Sequence, residues 1–180
     1  MKATGIVRRI DDLGRVVIPK EIRRTMRIRE GDPLEIYTDT DGEVIFKKYS
    51  PIGELSDFAT QYADAIVKNC EMPVVICDRD HCIAAAGVSR KEVLERRVSP
   101  QLEDIAEARR QYSVRRGEIK LIQPLEGVEH TAGVICPIIS AGDVCGSVVL
   151  LLPEQNYVPG DAEVKLAQVA AAFLGKQMEE

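Results

Sequence analysis

Residues 14–27, GRVVIPKEIRRTMR, decide the fold of the first part of the chain. Gly14 favours a turn, because glycine adopts a positive φ at no steric cost. The β-branched run at residues 16–18 favours a short strand. Pro19 is expected at the first position of a helix, where its missing N–H costs nothing. The stretch therefore predicts a turn, a strand and a helix in succession.

The predicted helix has one apolar face and one cationic face. Ile22 and Met26 lie four positions apart and share the apolar face. Arg23 and Arg27 share the cationic face, and Arg24 projects beside them. Guanidinium groups match phosphate oxygens bidentately and stay charged at physiological pH, so this face can bind an anion. The alternative interpretation is a solvated charged surface.

Charge is segregated within the first fifty residues, which favours the anion-binding interpretation. Residues 30–50 carry two lysines against six acids, a net charge of −4. Residues 1–29 carry a net charge of +6, from nine cations and three acids: Lys2, Arg8, Arg9, Arg15, Lys20, Arg23, Arg24, Arg27 and Arg29 against Asp11, Asp12 and Glu21.

The remainder of the first fifty residues predicts more short strands. Residues 4–10 alternate loosely and end at the turn-forming cluster of residues 11–14. Residues 34–36 and 44–46 alternate apolar and polar side chains around the polar residues 38–42, which is typical of a hairpin. A body of four short strands and one helix buries too little apolar area alone. We therefore expect an obligate dimer whose strands are completed by the partner.

Three segments carry a family resemblance: residues 1–19, MKATGIVRRIDDLGRVVIP, residues 21–24, EIRR, and residues 31–37, GDPLEIY. They resemble the AbrB-like transition-state regulators of spore-forming bacteria. The resemblance implies a swapped-hairpin β-barrel dimer that binds duplex DNA and regulates late, forespore-stage sporulation genes, by activation and by repression. The principal DNA contacts that it implies are Arg8, Arg15, Arg23 and Arg24, and Arg9 and Lys20 complete the predicted DNA-binding set. The relatives favour AT-rich, loosely defined sites, so we expect DNA shape to matter more than base-edge contacts.

The chain of 180 residues divides into two predicted domains, residues 1–50 and residues 51–180, with a linker helix at 52–69. The second domain is acidic, with 13 basic and 20 acidic side chains, whereas the first has a net charge of +2. No apolar run is long enough for an export signal or a membrane span, so we expect a cytoplasmic protein without a membrane partner. The five cysteines form no CxxC pair, which agrees with a reducing compartment.

Two predicted helices at the ends of the second domain carry apolar stripes with three–four spacing. Asp161 is the expected N-cap of the last helix. The alternative is that the stripes only cover the sheet of their own domain. We expect a helical bundle between subunits, giving a dimer or, through a second interface, a tetramer. The predicted interface consists of Leu55, Ala59, Tyr62 and Ile66 in the first helix and Val164, Ala167, Ala171 and Leu174 in the last.

Between these helices the pattern predicts an antiparallel sheet of about five strands. Residues 73–77 and 82–87 form two buried strands, residues 119–122, 133–139 and 144–152 form three more, and residues 89–98 and 99–112 are helical. This order, together with the segment VICDRD at residues 75–80, resembles a GAF domain. The resemblance implies a sensory fold that holds a small effector. The predicted fold class is α+β.

Two alternatives to a DNA-binding regulator remain open. Some GAF proteins are methionine sulfoxide reductases, and Cys77 and Cys82 flank His81; against this, the strand cysteines lie in apolar surroundings. No zinc-like ligand spacing, nucleophile motif or phosphate loop is present, so we expect no catalysis, no metal and no resident cofactor. The antidote of a toxin/antitoxin pair can use the same swapped-hairpin domain, but after that domain its chain usually continues as a short disordered tail.

Overall fold

The computed structural model describes residues 4–117, 121–154 and 156–179. The chain divides into two compact units, Met1–Tyr49 and Ser50–Glu180.

The first unit contains one short helix and one hairpin. Helix α1 spans Lys20–Thr25, and strands β1 (Leu34–Thr38) and β2 (Val44–Lys48) pair antiparallel. The predicted hairpin is therefore confirmed. Pro19 lies just before the helix, as its N-cap, and not at its first position.

The cationic face of α1 is shorter than predicted. The helix ends at Thr25, and Arg27 follows it with a φ of 51°, so Arg27 does not share a helical face with Arg23. The N–H of Ile28 donates to the carbonyl of Arg23 (2.8 Å), which closes the helix end. The Lys48 side chain donates to the carbonyl of Arg27 (3.1 Å) and ties this end to β2.

The strands predicted at residues 4–10 and 16–18 are not formed in the single chain. A strand requires a neighbour to receive its backbone hydrogen bonds. Among the described residues, β1 and β2 pair only with each other. Between residues 4 and 19, backbone pairing is limited to the turn, where the N–H of Asp11 donates to the carbonyl of Arg15 and the N–H of Gly14 donates to that of Asp11.

Apolar side chains of the first unit are largely exposed. Val7 is 88% exposed and Val17 73%. In the described part of this unit, no large apolar side chain other than that of Pro19 is fully buried. The other large apolar residues that remain exposed are Ile6, Ile10, Leu13, Val16, Met26, Ile36, Tyr37, Val44, Phe46 and Tyr49. As a single chain, the first unit therefore lacks the core that a stable domain requires.

The second unit is built on a five-stranded antiparallel sheet with the order β4-β3-β7-β6-β5. Its strands are β3 (Val74–Asp78), β4 (Cys82–Ala86), β5 (Tyr112–Ser113), β6 (Ala132–Ser140) and β7 (Asp143–Leu151). Its helices are α2 (Pro51–Glu54), α3 (Ser56–Cys70), α4 (Arg90–Val93), α5 (Pro100–Glu107) and α6 (Asp161–Gln177). This mixture confirms the predicted α+β class and the predicted sheet of about five strands.

Each face of this sheet has its own core. On one face α3 and α6 pack against alternate residues of the strands, such as Val74 and Ile76. On the other face the next residues along, such as Val75 and Cys77, pack against α4, α5 and the loops. A β-carbon on Gly146 of β7 would lie 2.1 Å from the carbonyl oxygen of Cys77, so glycine permits this close strand pairing.

Several predicted elements are corrected. Residues 89–98 contain only the short helix α4, because residues 97 and 98 make bridges to His81 and Leu125. Helix α5 ends at Glu107, well before residue 112, and Ser99 caps it by accepting the N–H of Leu102 (3.2 Å). The predicted linker helix is divided at Leu55 into α2 and α3. Gly160, and not Asp161, is the N-cap of α6, and its N–H donates to Glu163 Oε2 (2.8 Å).

The strand predicted at residues 119–122 is also changed. Ile119 lies outside the described residues, and Leu121 and Ile122 belong to no strand. The fifth strand is instead β5, two residues long, which pairs with Val134 and Ile135 of β6.

None of the helices in the described residues is long and apolar enough to cross a membrane.

Candidate nucleic-acid interface

The cationic segment is organised by the side chain of Asp11. Its Oδ1 accepts the N–H of Leu13 (3.0 Å) and the N–H of Arg15 (2.8 Å), so the carboxylate closes a local turn. Gly14, with a φ of 75°, supplies the left-handed position within this turn. The turn therefore fixes the backbone at Arg15.

The same carboxylate also orients the Arg15 guanidinium. Arg15 Nε donates to Asp11 Oδ2 at 2.8 Å, while the Arg15 side chain stays 69% exposed. The two hydrogen bonds from Arg15, first from its backbone and then from its side chain, lower the pKa of Asp11. Because only Nε is engaged, the terminal amino groups of the guanidinium face solvent, where they can bind an anion.

All six residues of the predicted DNA-binding set are exposed: Arg8, Arg9, Arg15, Lys20, Arg23 and Arg24. Of these six, only Arg15 forms an ion pair in the described part of the chain. Arg23 and Arg24 occupy the last turn of α1, where cations interact favourably with the helix dipole. Within the predicted set, the described residues thus comprise five cations without an ion pair and one oriented guanidinium at the surface.

The sequence reasoning missed the role of Asp11, which it treated only as a member of a turn cluster. The signal was present, because an aspartate that precedes a glycine turn commonly accepts backbone N–H groups two residues on. Arg27 was predicted to share the cationic face. It lies beyond the helix and is only partly exposed, so we leave it out of the site.

We predict that Asp11→Asn keeps the turn but releases Arg15. Asparagine retains an oxygen that accepts the two backbone N–H groups, but it lacks the anionic partner of the guanidinium. Removing one negative charge per chain beside the cations should strengthen DNA binding a few-fold at low salt. Fluorescence anisotropy with duplex DNA measures this change. Unchanged or weaker binding of Asp11→Asn would show that the ion pair itself positions Arg15 for DNA.

The pH dependence of this turn follows from the lowered pKa of Asp11. A carboxyl group whose pKa is lower in the folded state stabilises that state above its unfolded pKa, and the stabilisation is lost as the pH falls through the folded value. The turn should therefore stay intact at neutral pH and loosen only in strong acid. An Asp11→Ala control, which removes both acceptor oxygens, should lose the turn at every pH, as seen in the amide chemical shifts of Leu13 and Arg15.

The residues of the predicted oligomer interface differ in their burial within the second unit. Ala59, Ile66, Ala167, Ala171 and Leu174 are at most 5% exposed, because they pack against the sheet of their own chain. Such residues are not accessible to another subunit. From the same set, Leu55, Tyr62 and Val164 are partly exposed.

Another side of α3 and α6 presents an aromatic cluster. The Tyr62 and Phe173 rings stack with centroids 5.5 Å apart, and the Phe58 ring lies 5.9 Å from that of Phe173. Phe173 is 41% exposed and the nearby Val169 is 57% exposed. This cluster, which shares Tyr62 with the predicted stripe, is an apolar surface of the two helices that solvent reaches.

The thiols of Cys77 and Cys136 in the second unit have raised pKa values and stay protonated at neutral pH. A hydrogen bond with Cys82 and complete burial raise the pKa of Cys77, and burial raises the pKa of Cys136 to about 11. Reactive cysteines have lowered pKa values, because the thiolate is the nucleophile. Their chemistry therefore favours a role in packing.

The second unit matches the family described as "Stage V sporulation protein T C-terminal, transcription factor" over residues 54–179. The chain belongs to this family. It is also 52% identical over 182 residues to stage V sporulation protein T of Bacillus subtilis, and the match covers 100% of both chains. The family resemblance noted from the sequence is therefore confirmed.

The first unit has its own relatives. Residues 7–53 match the family described as "Antidote-toxin recognition MazE, bacterial antitoxin". The transition state regulatory protein AbrB of Bacillus subtilis is 59% identical over 63 residues, which cover 32% of this chain and 65% of AbrB. Because residues 54–179 belong to a transcription factor family, the whole chain is better described as a regulator than as an antidote.

The fold of the second unit has solved counterparts. The GAF domain of an Acinetobacter phosphoenolpyruvate-protein phosphotransferase superimposes with a TM-score of 0.56 at 13% identity, covering 69% of this chain and 81% of that one. At this identity the likeness concerns the fold alone. The predicted GAF-like fold is confirmed. This member of the stage V sporulation protein T family thus combines an AbrB-like first unit with a GAF-like second unit.

Proposed function

We propose that this chain regulates transcription of late, forespore-stage sporulation genes by binding duplex DNA through the arginines of its first unit. The observation that carries the proposal is the exposure of Arg8, Arg15, Arg23 and Arg24 in a unit related to AbrB. Membership of a transcription factor family supports it independently. The alternative, a GAF-type redox enzyme, is disfavoured because the thiols of Cys77 and Cys136 have raised pKa values.

The mode of binding follows from the residue types. Arginine and lysine bind phosphate oxygens, which position a protein on DNA but do not read its sequence. The chain has no Trp and only 4% aromatic residues, which leaves little material for stacking unpaired bases, so duplex DNA suits it better than single strands. Specificity then comes mainly from DNA shape, and AT-rich tracts with a narrow minor groove attract arginine most strongly. We propose loosely defined, AT-rich sites.

Both activation and repression belong to this proposal. A protein that acts by occupying DNA represses where its site overlaps the promoter and activates where it lies beside the polymerase. The direction of control is thus a property of the site, and the protein acts in the cytoplasm, where bacterial DNA lies.

We further propose that the protein is a homotetramer held together by two separate surfaces. The first unit exposes most of its large apolar residues, so we expect a second copy to cover them. The aromatic cluster of Phe58, Tyr62 and Phe173, on the outer side of α3 and α6, forms a second apolar surface. Two independent self-associating surfaces bring four chains together when each follows a two-fold axis.

The GAF-like unit completes the proposal as a sensory part. If an effector binds it more tightly in one conformational state, the affinity for DNA shifts by the same coupling free energy.

The proposal is tested by titrating fluorescent duplex DNA with the full chain at several salt concentrations. If all eight principal arginines of a dimer contact phosphate, the slope of log K against log salt should be about −7, that is, −0.9 for each contact. Binding should be tighter to an AT-rich duplex than to a GC-rich one of equal length. Absence of binding at low salt, or a slope near zero, would reject the DNA-binding role.

A further inference from the structure

A groove lies beside the open edge of the sheet in the second unit. Strand β5 is only two residues long and pairs with Val134 and Ile135, whereas β6 continues to Ser140. The outer edge of β6 beyond Ile135 therefore faces a cavity of about 420 Å³, whose other wall is α6. This volume lies within the range of small-molecule sites, roughly 300–1,000 Å³.

The floor of the groove is apolar and unsuited to an added strand. It is formed by Cys136, Pro137, Ile139, Ala171 and Ala172. Pro137 has no N–H to donate to another strand. The Ile139 carbonyl points at α6, where a β-carbon on residue 175 would lie 2.2 Å from its oxygen. A small molecule can therefore contact the apolar surface of this edge. A peptide strand cannot add to it, because the edge lacks a regular set of backbone hydrogen-bond donors and acceptors.

One end of the rim carries a balanced set of charges. The guanidinium of Arg109 donates one of its five N–H groups to the carbonyl of Gly142. Lys176 pairs with Glu179 at 2.9 Å, and Glu179 also accepts the N–H of Ala141 (3.0 Å). Among the described residues that line this end, two cations and one carboxylate sum to a net charge of +1, and the remaining Arg109 donors can supply the hydrogen bonds for an anion.

The other end of the rim is polar but neutral. The amide of Gln168 donates to the side-chain oxygen of Gln111, so the two residues bridge α6 to the segment before β5. Arg109 has a φ of 52° because it ends helix α5: the N–H of Arg110 donates to the carbonyl of Ile105 (3.1 Å), a common left-handed helix end.

We propose that this groove binds a small organic monocarboxylate, with the carboxylate at Arg109 and an aliphatic body on the apolar floor. A single net charge matches a monoanion better than a phosphate dianion, and the floor disfavours a wholly polar ligand. The site lies at the α6 edge of the sheet, away from the face that α4, α5 and the loops cover. A ligand in this groove would be the effector of the proposed sensory unit. Only the effect of that ligand on DNA binding rests on the proposed function.

The test uses octanoate as the probe and the full chain labelled with ¹⁵N. Octanoate should shift the amide resonances of Cys136, Ile139, Gln168 and Ala172 in a saturable way. Octanamide, which has the same body without the charge, should bind at least about tenfold more weakly. Octyl phosphate should also bind more weakly, because its second negative charge has no partner.

Three variants locate the site. Arg109→Gln should weaken octanoate binding about tenfold or more, because it removes the guanidinium. The matched control Arg110→Gln changes the neighbouring exposed arginine, which does not line the groove, and should bind as wild type does. Ala172→Phe fills the groove from the exposed side of α6 and should abolish binding with every charge retained.

The outcomes separate this site from the DNA-binding proposal. No saturable shift at millimolar octanoate, equal loss in Arg109→Gln and Arg110→Gln, or undiminished binding by Ala172→Phe would each overturn the site. Thermal unfolding confirms that the variants are folded. DNA binding is measured separately by anisotropy, with and without octanoate. A protein that does not bind octanoate can therefore still bind DNA, and a protein that does not bind DNA can still bind octanoate.

Discussion

The variant Arg15→Ala/Arg24→Ala is expected to bind AT-rich duplex DNA at least about a hundredfold more weakly than wild type at 0.1 M salt. In a dimer the two substitutions remove four guanidinium groups. Each phosphate contact contributes roughly 0.9 to the slope of log K against log salt, so the slope should fall by about 3 to 4. The residual binding comes from Arg8 and Arg23, together with Arg9 and Lys20.

These two positions are the informative ones, because they test two different local structures. Arg15 is held by the carboxylate of Asp11 at 2.8 Å, whereas Arg24 projects from the last turn of α1 without an ion pair. Neither side chain contributes to a core, since both are exposed. Circular dichroism and the melting temperature should therefore match those of wild type.

The matched control is Lys91→Ala/Arg110→Ala, which removes the same charge from exposed positions of the second unit. A non-specific effect of total charge would weaken DNA binding equally in both double variants. The site is confirmed only if the first variant loses affinity and salt dependence while the control keeps both. If the two variants bind alike, the arginines of the first unit do not form the DNA contact surface.

Local sequence signals predicted those parts of the fold that depend on near neighbours. The hairpin of β1 and β2 and the hairpin of β6 and β7 followed from alternation and from polar turns, because each strand pairs with the next one along the chain. The cap at Ser99 is equally local, because its hydroxyl accepts the N–H of Leu102, three residues on. In each case the deciding interaction lies within a few residues.

Predictions that depend on distant partners were less accurate. Residues 97 and 98 were expected in a helix, but their bridges to His81 and Leu125 hold them extended. The three–four spacing of Ala59 and Ala167 shows that one helical face is buried, but not whether a sheet or another subunit buries it. In the structure, both residues are buried against the sheet of their own chain.

The candidate DNA site shows the same division. All six predicted cations are exposed, as the excess of basic residues in this part of the chain would suggest. The ion pair between Asp11 and Arg15 could not be inferred from charge, because it requires the turn that brings a carboxylate back onto a residue four positions away. The groove at Arg109 was also out of reach, since its walls come from β6 and α6, far apart in the sequence.

The second large effect is expected from Val17→Asp, at a position that is 73% exposed in the single chain. A substitution at an exposed site normally changes the free energy of unfolding by no more than about 0.5 kcal/mol. If the first unit is completed by a second copy, Val17 lies in a core between chains. An unpaired carboxylate there should cost several kcal/mol, roughly 3 or more, and a two-fold dimer contains it twice.

Hydrogen exchange across residues 34–48 and sedimentation of the full chain measure this effect. Val17→Asp should abolish the exchange protection of the β1–β2 hairpin and reduce the assembly from four chains to two, still joined through Phe58, Tyr62 and Phe173. The control Val158→Asp places the same charge at a valine that is 44% exposed in the second unit, and should change neither measurement.

The two readouts also distinguish the proposed surfaces from each other. A protected hairpin in Val17→Asp would contradict a shared core, because the single chain already leaves this side chain in water. A fall to single chains would instead show that the aromatic cluster does not hold subunits together. Weaker DNA binding alone decides nothing about assembly, since an aspartate two residues from Arg15 repels phosphate whether or not the unit stays folded. Exchange protection is therefore the measurement that tests the dimer, because it responds to the loss of the core and not to the added charge.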